Sequence, residues 1–406
     1  MNSSNTSILA VDGGIPVRTG PIAPWPHFDD LQIDAVSRVL RSGRVNYWTG
    51  TEGREFEKEY AAYLGVNRAI AVANGTVSLE LILRAWGVGP GDEVITTPRT
   101  FVGTATAIVS CGATPVFADV DPDSQVITAS TIEACITPRT RVILPVHLAG
   151  WMSPMDDIMA LADRHGLYVL DDCAQSHGAR YRDRPAGAWG HASSFSFCQD
   201  KILTTGGEGG LVAMNDEQLF RTAWAYKDHG KSWEAVYERE HPPGFRWLVD
   251  SFGTNWRITE MQATIGREVL RRLDEWVSVR RSHAHRIVHA LRDTPGLRIP
   301  MPPEHVYHSY YKLYMFVRDE ELATGWNRDR IAAAITAEGT PCMSGSCSEI
   351  YLESAFPPAM RPGERLPVAK TLGETSLMLM VHPTLDANTI DAFAESVNKV
   401  MRVAAS

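Results

Sequence analysis

Between residues 68 and 215, short apolar runs alternate with longer amphipathic stretches. The runs at 68–73, 94–97, 115–118, 141–147 and 167–171 are rich in Val, Ile and Leu and bounded by turn-forming residues, which predicts strands buried on both faces. Between them, 77–86, 103–110, 130–136 and 154–165 carry apolar residues at three- and four-residue spacing, and these predict helices. Strands alternating with helices of this length imply a mainly parallel sheet covered on both faces. Two further strand-like runs, 194–198 and 209–214, bracket a glycine-bordered turn. Residues 257–292 then read as one long helical passage. After Thr294-Pro295-Gly296 the pattern restarts, with a strand in HSYYKLYMFV from His308, a helix from Arg328 and a closing helix at 387–403. The expected architecture is α/β. Residues 1–290 form an N-terminal arm and a large domain, and residues 291–406 form a smaller C-terminal α/β domain.

A chain of 406 residues is long enough to bury two such cores. The formal net charge of -9 argues against a nucleic-acid partner, which calls for a basic surface. No apolar run reaches the roughly 18 residues of a membrane span. The start, MNSSNTSILAVDGG, lacks the features of a secretory signal, so a cytoplasmic protein is expected. Of the six cysteines, Cys342 and Cys347 lie closest together, but no further Cys or His completes a zinc set, and no metal site is expected.

Lys201 lies in SFSFCQDKILTTGGEGG, on the turn between the strands at 194–198 and 209–214. A long amine held there reaches into a cleft, and lysine is the side chain that can lose its charge on desolvation and attack a carbonyl. A solvated surface lysine is the ordinary reading of such a turn; two segments upstream change it. LYVLDDCAQSHGA, from Leu167, ends a buried strand on Asp171 and Asp172, and VANGTVSLELILRAWG, from Val72, opens a helix on Asn-Gly-Thr. A phosphate ester needs backbone amides at a helix start, a hydroxyl and little bulk, which Gly75 and Thr76 supply, although a plain N-cap uses the same residues. A pyridine ring acting as electron sink needs a carboxylate on its nitrogen, and Asp172 is the candidate, with Asp171 structural. Phe101 offers a ring face, or packs in the core. Lys201, Asp172 and this helix start are the parts of a pyridoxal phosphate site, with Lys201 as cofactor-binding lysine and general acid and base.

Other motifs fail on inspection. DHGKS at Asp228 ends like a phosphate loop, but Ala225 replaces the first glycine; GGEGGLV lacks dinucleotide-loop spacing, and no Gly-x-Ser-x-Gly elbow occurs.

The blocks GREFEKEYAAYLGV, NGTVSLELIL, GDEVITTPRTFVGTATAI, ITPRTRVILPVHLAG, LDDCAQSHGA, SFSFCQDK, GGEGG and FGTNWRITEMQATIG occur in this order over nearly the whole length. Together they resemble the DegT/DnrJ/EryC1/StrS family of pyridoxal-phosphate-dependent sugar aminotransferases. The resemblance implies the type I aminotransferase fold and a homodimer with shared active sites. It implies that Lys201 binds the cofactor aldehyde, that Asp172 meets the pyridine nitrogen, and that Gln175 lies near the ring hydroxyl. It also implies that Gly75, Thr76 and Ser196 hold the phosphate, that Phe101 packs on the ring, and that Asn255 reaches the phosphate of the neighbouring subunit. From its sequence neighbours, Asn255 is expected at a helix start.

Some members of the family carry histidine in place of the lysine and act as dehydratases; Lys201 favours amino transfer. The implied reaction moves an amino group from glutamate or glutamine to a keto-sugar, nucleotide-linked in most relatives, for amino-sugar, polysaccharide or antibiotic biosynthesis. The alternatives are a ketocyclitol of the scyllo-inosose type, an aminoshikimate-type ring, and a non-catalytic relative that has kept the fold. Arg257, Arg99, Lys227 and His308 are candidates to line a path for a diphosphate, or are ordinary surface or interface residues. The segment 231–252 reads as a long insertion, a candidate lid or substrate element.

Overall fold

A computed structural model describes residues 8–244 and 246–405; residues 1–7 of the N-terminal arm and Phe245 of the 231–252 segment lie outside it. The strands are β1 (Arg68–Val72), β2 (Glu93–Thr96), β3 (Thr114–Phe117), β4 (Thr140–Leu144), β5 (Tyr168–Asp172), β6 (Arg180–Tyr181), β7 (Arg184–Pro185), β8 (Ala192–Ser196), β9 (Gly210–Met214), β10 (Leu297–Arg298), β11 (Val306–Tyr307), β12 (Leu313–Val317), β13 (Cys342–Met343) and β14 (Ser376–Leu379). Seven of them form one sheet in the order β1-β9-β8-β5-β4-β2-β3, in which only β9 runs against its neighbours. Alternate residues of single strands enter two apolar clusters. Ala71, Ile143 and Val169 face one, and Val72, Val142 and Leu170 face the other. That period-two split is why these runs read as continuous apolar strands.

A second, antiparallel sheet, β10-β12-β14-β13, is covered by the helices Leu273–Leu291, Arg328–Ala337 and Ala387–Ala404. Ile287, Met315, Ile335, Phe393 and Val397 fill the space between sheet and helices. Leu9 joins that cluster, and the amides of Ala10 and Val17 donate to the buried Glu338 carboxylate at 2.8 and 3.0 Å. The N-terminal segment is thereby tied to the C-terminal half of the chain. Farther along, Trp25 Nε1 donates to the Lys201 carbonyl at 3.0 Å.

Three local expectations change. The passage at 257–292 divides into helices Glu260–Leu270 and Leu273–Leu291. The strand expected from His308 starts at Leu313, because Tyr310 takes a positive φ of 47° and its amide donates to His308 Nδ1 at 2.8 Å. Asn255 does not start a helix: the helix start is Thr259, whose side chain caps it, and Asn255 instead forms a bridge with Asp228. Among the described residues no helix is long and apolar enough to cross a membrane.

Candidate active site

Strand register builds the site. Val72 pairs with Gly210, and Gly210 with Ser196, so the end of β1 and the end of β8 flank one glycine of β9. The chain leaving β1 therefore passes directly over Ser196. A Cβ on Gly75 would lie 2.6 Å from Ser196 Cβ, and one on Gly210 would lie 2.3 Å from the Asn74 carbonyl oxygen, so both positions demand glycine. Asn74 caps the Gly75–Ala85 helix through Val77 N at 3.0 Å, with the amides of Gly75 and Thr76 ahead of that capped position. On the next helix start, a Cβ on Gly103 would meet the Phe101 ring and Thr76 Oγ1, each at 3.0 Å, which sets those two side chains together. Phe101 itself is exposed.

Asp172 ends β5, fixed by its amide on the Pro145 carbonyl at 2.9 Å and by the His147 amide on its own carbonyl at 3.2 Å. Its side chain is buried. Oδ2 accepts from Thr104 Oγ1 at 3.0 Å, Thr104 Oγ1 shares a hydrogen bond with Thr100 Oγ1 at 3.0 Å, and Oδ1 accepts from Ala174 N at 3.1 Å. Burial pushes its pKa up, while the Ala174 amide, the Thr104 hydroxyl and the Lys201 charge pull it down. Asp171 points to the opposite face, where it accepts from Gly190 N at 3.0 Å, and burial pushes it up to about 7. The two adjacent carboxylates therefore differ in surroundings, and only Asp172 looks toward Lys201.

Lys201 follows β8 in a turn closed by its amide on the Cys198 carbonyl at 3.1 Å, and its Nζ lies 4.8 Å from the centre of the Tyr311 ring. Gln175 is buried with Oε1 accepting from Ala149 N at 2.8 Å, which turns its NH₂ group to other use. His177 is held by Tyr60 Oη on Nδ1 and by the Ser196 carbonyl on Nε2, each at 2.9 Å, and burial lowers it to about 3, so it stays neutral. Lys201, Asp172, Gln175, Ser196, Gly75, Thr76 and Phe101 are thus gathered around the C-terminal ends of β5, β8 and β1. Asn255 stands apart. Its side chain is exposed and makes no hydrogen bond among the described residues, although the next carbonyl, of Trp256, accepts from Ala73 N at 2.9 Å.

The four candidates for a cationic path are each engaged elsewhere. Arg99 and Lys227 are fully buried, the first donating Nε to Gln125 at 2.9 Å, the second with Nζ 3.9 Å over the Tyr47 ring. His308 is buried too and accepts from Tyr310, and Arg257 is committed to Asp228 Oδ1 at 2.7 Å. In their place the structure brings Thr104, Asp200, Tyr311 and Lys312 to the site. The one-turn spacing of Thr104 from Thr100 was a signal left unread; nothing near Tyr311 or Lys312 in the sequence points to Lys201.

These residues fit pyridoxal phosphate. A glycine-lined helix start suits a phosphate dianion, a buried and hydrogen-bonded carboxylate suits a protonated ring nitrogen, and the charge of the Lys201 amine reaches that carboxylate. Fold and site define an enzyme of the type I pyridoxal-phosphate-dependent class. The model of the DegT/DnrJ/EryC1/StrS aminotransferase family matches residues 26–398, and the chain belongs to that family. Among solved structures, the aminotransferase from Psychrobacter cryohalolentis is 52% identical and superposes with a TM-score of 0.93, over 94% of this chain and 99% of that one. The L-glutamine:2-deoxy-scyllo-inosose aminotransferase of Streptoalloteichus tenebrarius is 36% identical over 87% of this chain and 84% of its own. The dTDP-3-amino-3,4,6-trideoxy-alpha-D-glucose transaminase of Streptomyces venezuelae is 35% identical over 92% and 94%. The protein is a pyridoxal-phosphate-dependent aminotransferase.

Proposed function

We propose that the enzyme transfers an amino group from glutamate or glutamine to a keto-sugar, and that Lys201, Asp172 and the Gly75–Thr76 helix start perform this at one site. The observation that carries the reading is the buried Thr100–Thr104–Asp172 hydrogen-bond chain facing the Lys201 charge, beside a helix start that admits no side chain at Gly75. Bound there, pyridoxal phosphate supplies a carbonyl for the incoming nitrogen and an electron-withdrawing ring. Lys201 would hold the cofactor through Nζ and, once the substrate amine has displaced it, Nζ would move the proton to or from the substrate carbon in each half-reaction. Asp172 would keep the ring nitrogen protonated, and the hydrogen bonds from Thr104 and Ala174 N favour the charged form of Asp172 against its burial. Gly75, Thr76 and Ser196 would bind the phosphate, Gln175 would offer its NH₂ to the ring hydroxyl, and Phe101 would cover a ring face.

The acceptor is a cyclic polyol ketone. Nucleotide-linked relatives such as the dTDP-sugar transaminase support a keto-sugar; the scyllo-inosose aminotransferase, matched at similar identity, supports a ketocyclitol as the second reading. A homodimer with Asn255 serving the partner's phosphate completes the proposal. Its support is the exposed Asn255 side chain and the exposed apolar residues preceding it, Trp247, Val249 and Phe252. The test converts the cofactor to its amine form with glutamate or glutamine, then offers nucleotide-linked keto-sugars and ketocyclitols. Return of the aldehyde-form absorption with one class identifies the acceptor; return with neither contradicts the reading.

A further inference from the structure

Lys201, Lys312 and Arg280 gather around the Asp200 carboxylate and the Tyr311 ring. Both lysine nitrogens lie 4.8 Å from the centre of that ring, so one ring spaces the two amines. Tyr311 Oη donates to Asp200 Oδ2, which Lys312 Nζ approaches at 3.5 Å. Lys312 is largely enclosed, its side chain 13% exposed, while Asp200 stays half open at 50%. Arg280, fully buried beneath Trp25, donates Nη1 to the Tyr311 carbonyl at 3.2 Å, and its Nε and Nη2 have no partner among the described residues. Asp172, which also feels the Lys201 charge, is already held by Thr104 and Ala174. Positive charge thus exceeds negative charge in a partly desolvated place, an arrangement that favours an anionic guest.

We propose that Lys312 is the cationic anchor for the carboxylate of the amino donor. This rests on the reading of Lys201 as the reacting amine. In an α-amino acid the carboxylate is bonded to the same carbon as the nitrogen that transfers, so its anchor must stand close to that amine, and Lys312 shares the Tyr311 ring with it. A diphosphate on a nucleotide-linked sugar hangs from the anomeric carbon, with part of the sugar ring between it and the reacting ketone, and suits a more distant cation. Tyr311 and Asp200 orient the ammonium, and Arg280 fixes Tyr311 from behind through its carbonyl. Nothing in HSYYKLYMFV announced this, because the small sheet delivers Lys312 to a turn of the large one.

The probe is glutarate, a dicarboxylate with no amine to transfer, titrated calorimetrically into the cofactor-loaded enzyme, with inorganic phosphate as a separate arm. Lys312→Met is expected to weaken glutarate about tenfold, the worth of one charge-assisted contact at about 1.4 kcal/mol, and to leave phosphate unchanged. Lys312→Arg should restore glutarate to within about threefold. In donor half-reactions the Met variant should raise the glutamate KM by a similar factor with little change in kcat. Glutarate affinity that is equal in parent and Met variant, or a loss matched in the phosphate arm, overturns the proposal, as does a parent that binds no glutarate. A parent whose cofactor does not respond to glutamate or glutamine at all contradicts the reading of the reaction instead.

Discussion

In the proposed cofactor cradle, Gly75, Ser196 and Gly210 meet because three neighbouring strands share one register. In the junction beside Lys201, Trp25, Asp200, Arg280, Tyr311 and Lys312 meet from positions far apart in the chain, through side-chain contacts rather than strand pairing. The cradle admits no added carbon at Gly75 or Gly210. The junction keeps unpartnered donors on Arg280 and a half-open carboxylate. Strand register places the glycines of the cradle through the backbone, whereas the surroundings of Lys201 are assembled from residues of both sheets' connections.

The comparison breaks most sharply at Lys201. Lys201→Ala should leave a folded protein and lower the rate of each half-reaction by about 10⁴-fold, the upper range for proton transfer by a positioned side chain. Single-turnover absorbance with glutamate or glutamine measures it, and a rate within about tenfold of the parent would give the proton transfer to another group.

Asp172→Asn should slow both half-reactions by about 10²-fold or more, since an amide cannot hold the ring nitrogen protonated. Asp171→Asn should change the rate little and act on stability. The raised pKa of Asp171, about 7, favours the protonated folded state at low pH. Once pH exceeds the unfolded value near 4, the unfolded chain ionises first, so folding stability falls as pH rises toward 7, by up to about 1.4 kcal/mol per unit. Denaturant titrations at pH 5 and 7.5 should show a smaller difference for Asp171→Asn than for the parent; identical differences would mean that Asp171 titrates normally.

Within the cradle, Gly75→Ala forces a carbon to 2.6 Å from Ser196 Cβ and should cost about 1–3 kcal/mol together with cofactor retention. Cofactor retained through dialysis as in the parent would show that the helix start gives way. The smallest effect is expected at Thr104→Val, which removes one hydrogen bond to Asp172: about a tenfold slower turnover, from about 1.5 kcal/mol. Thr104→Ser should restore most of it.

The legible part of the molecule was the part made by strand pairing. Alternating apolar runs announced the large sheet, and the ends of those runs carried Gly75, Asp172 and Lys201 to one place. The contacts of Lys312 and Arg280 were illegible because they depend on how the second sheet and the Leu273–Leu291 helix approach a turn of the first. Arg99 and Lys227 misled for the same reason. A cation in a polar-looking segment says nothing of burial, and here Arg99 lies over Tyr314 and Lys227 over Tyr47. Asn255 was misplaced at a helix start because its neighbours pattern as helix, whereas the chain pairs it with Asp228 first.

The central claim, that Lys201 rather than another amine of the cluster holds the cofactor, is tested most directly by borohydride reduction of the loaded enzyme and mass mapping of the labelled peptide. The account expects the pyridoxyl label on Lys201, in the peptide that follows β8, and no label in Lys201→Ala. A label on Lys312, or on any lysine other than Lys201 in the parent enzyme, would contradict it.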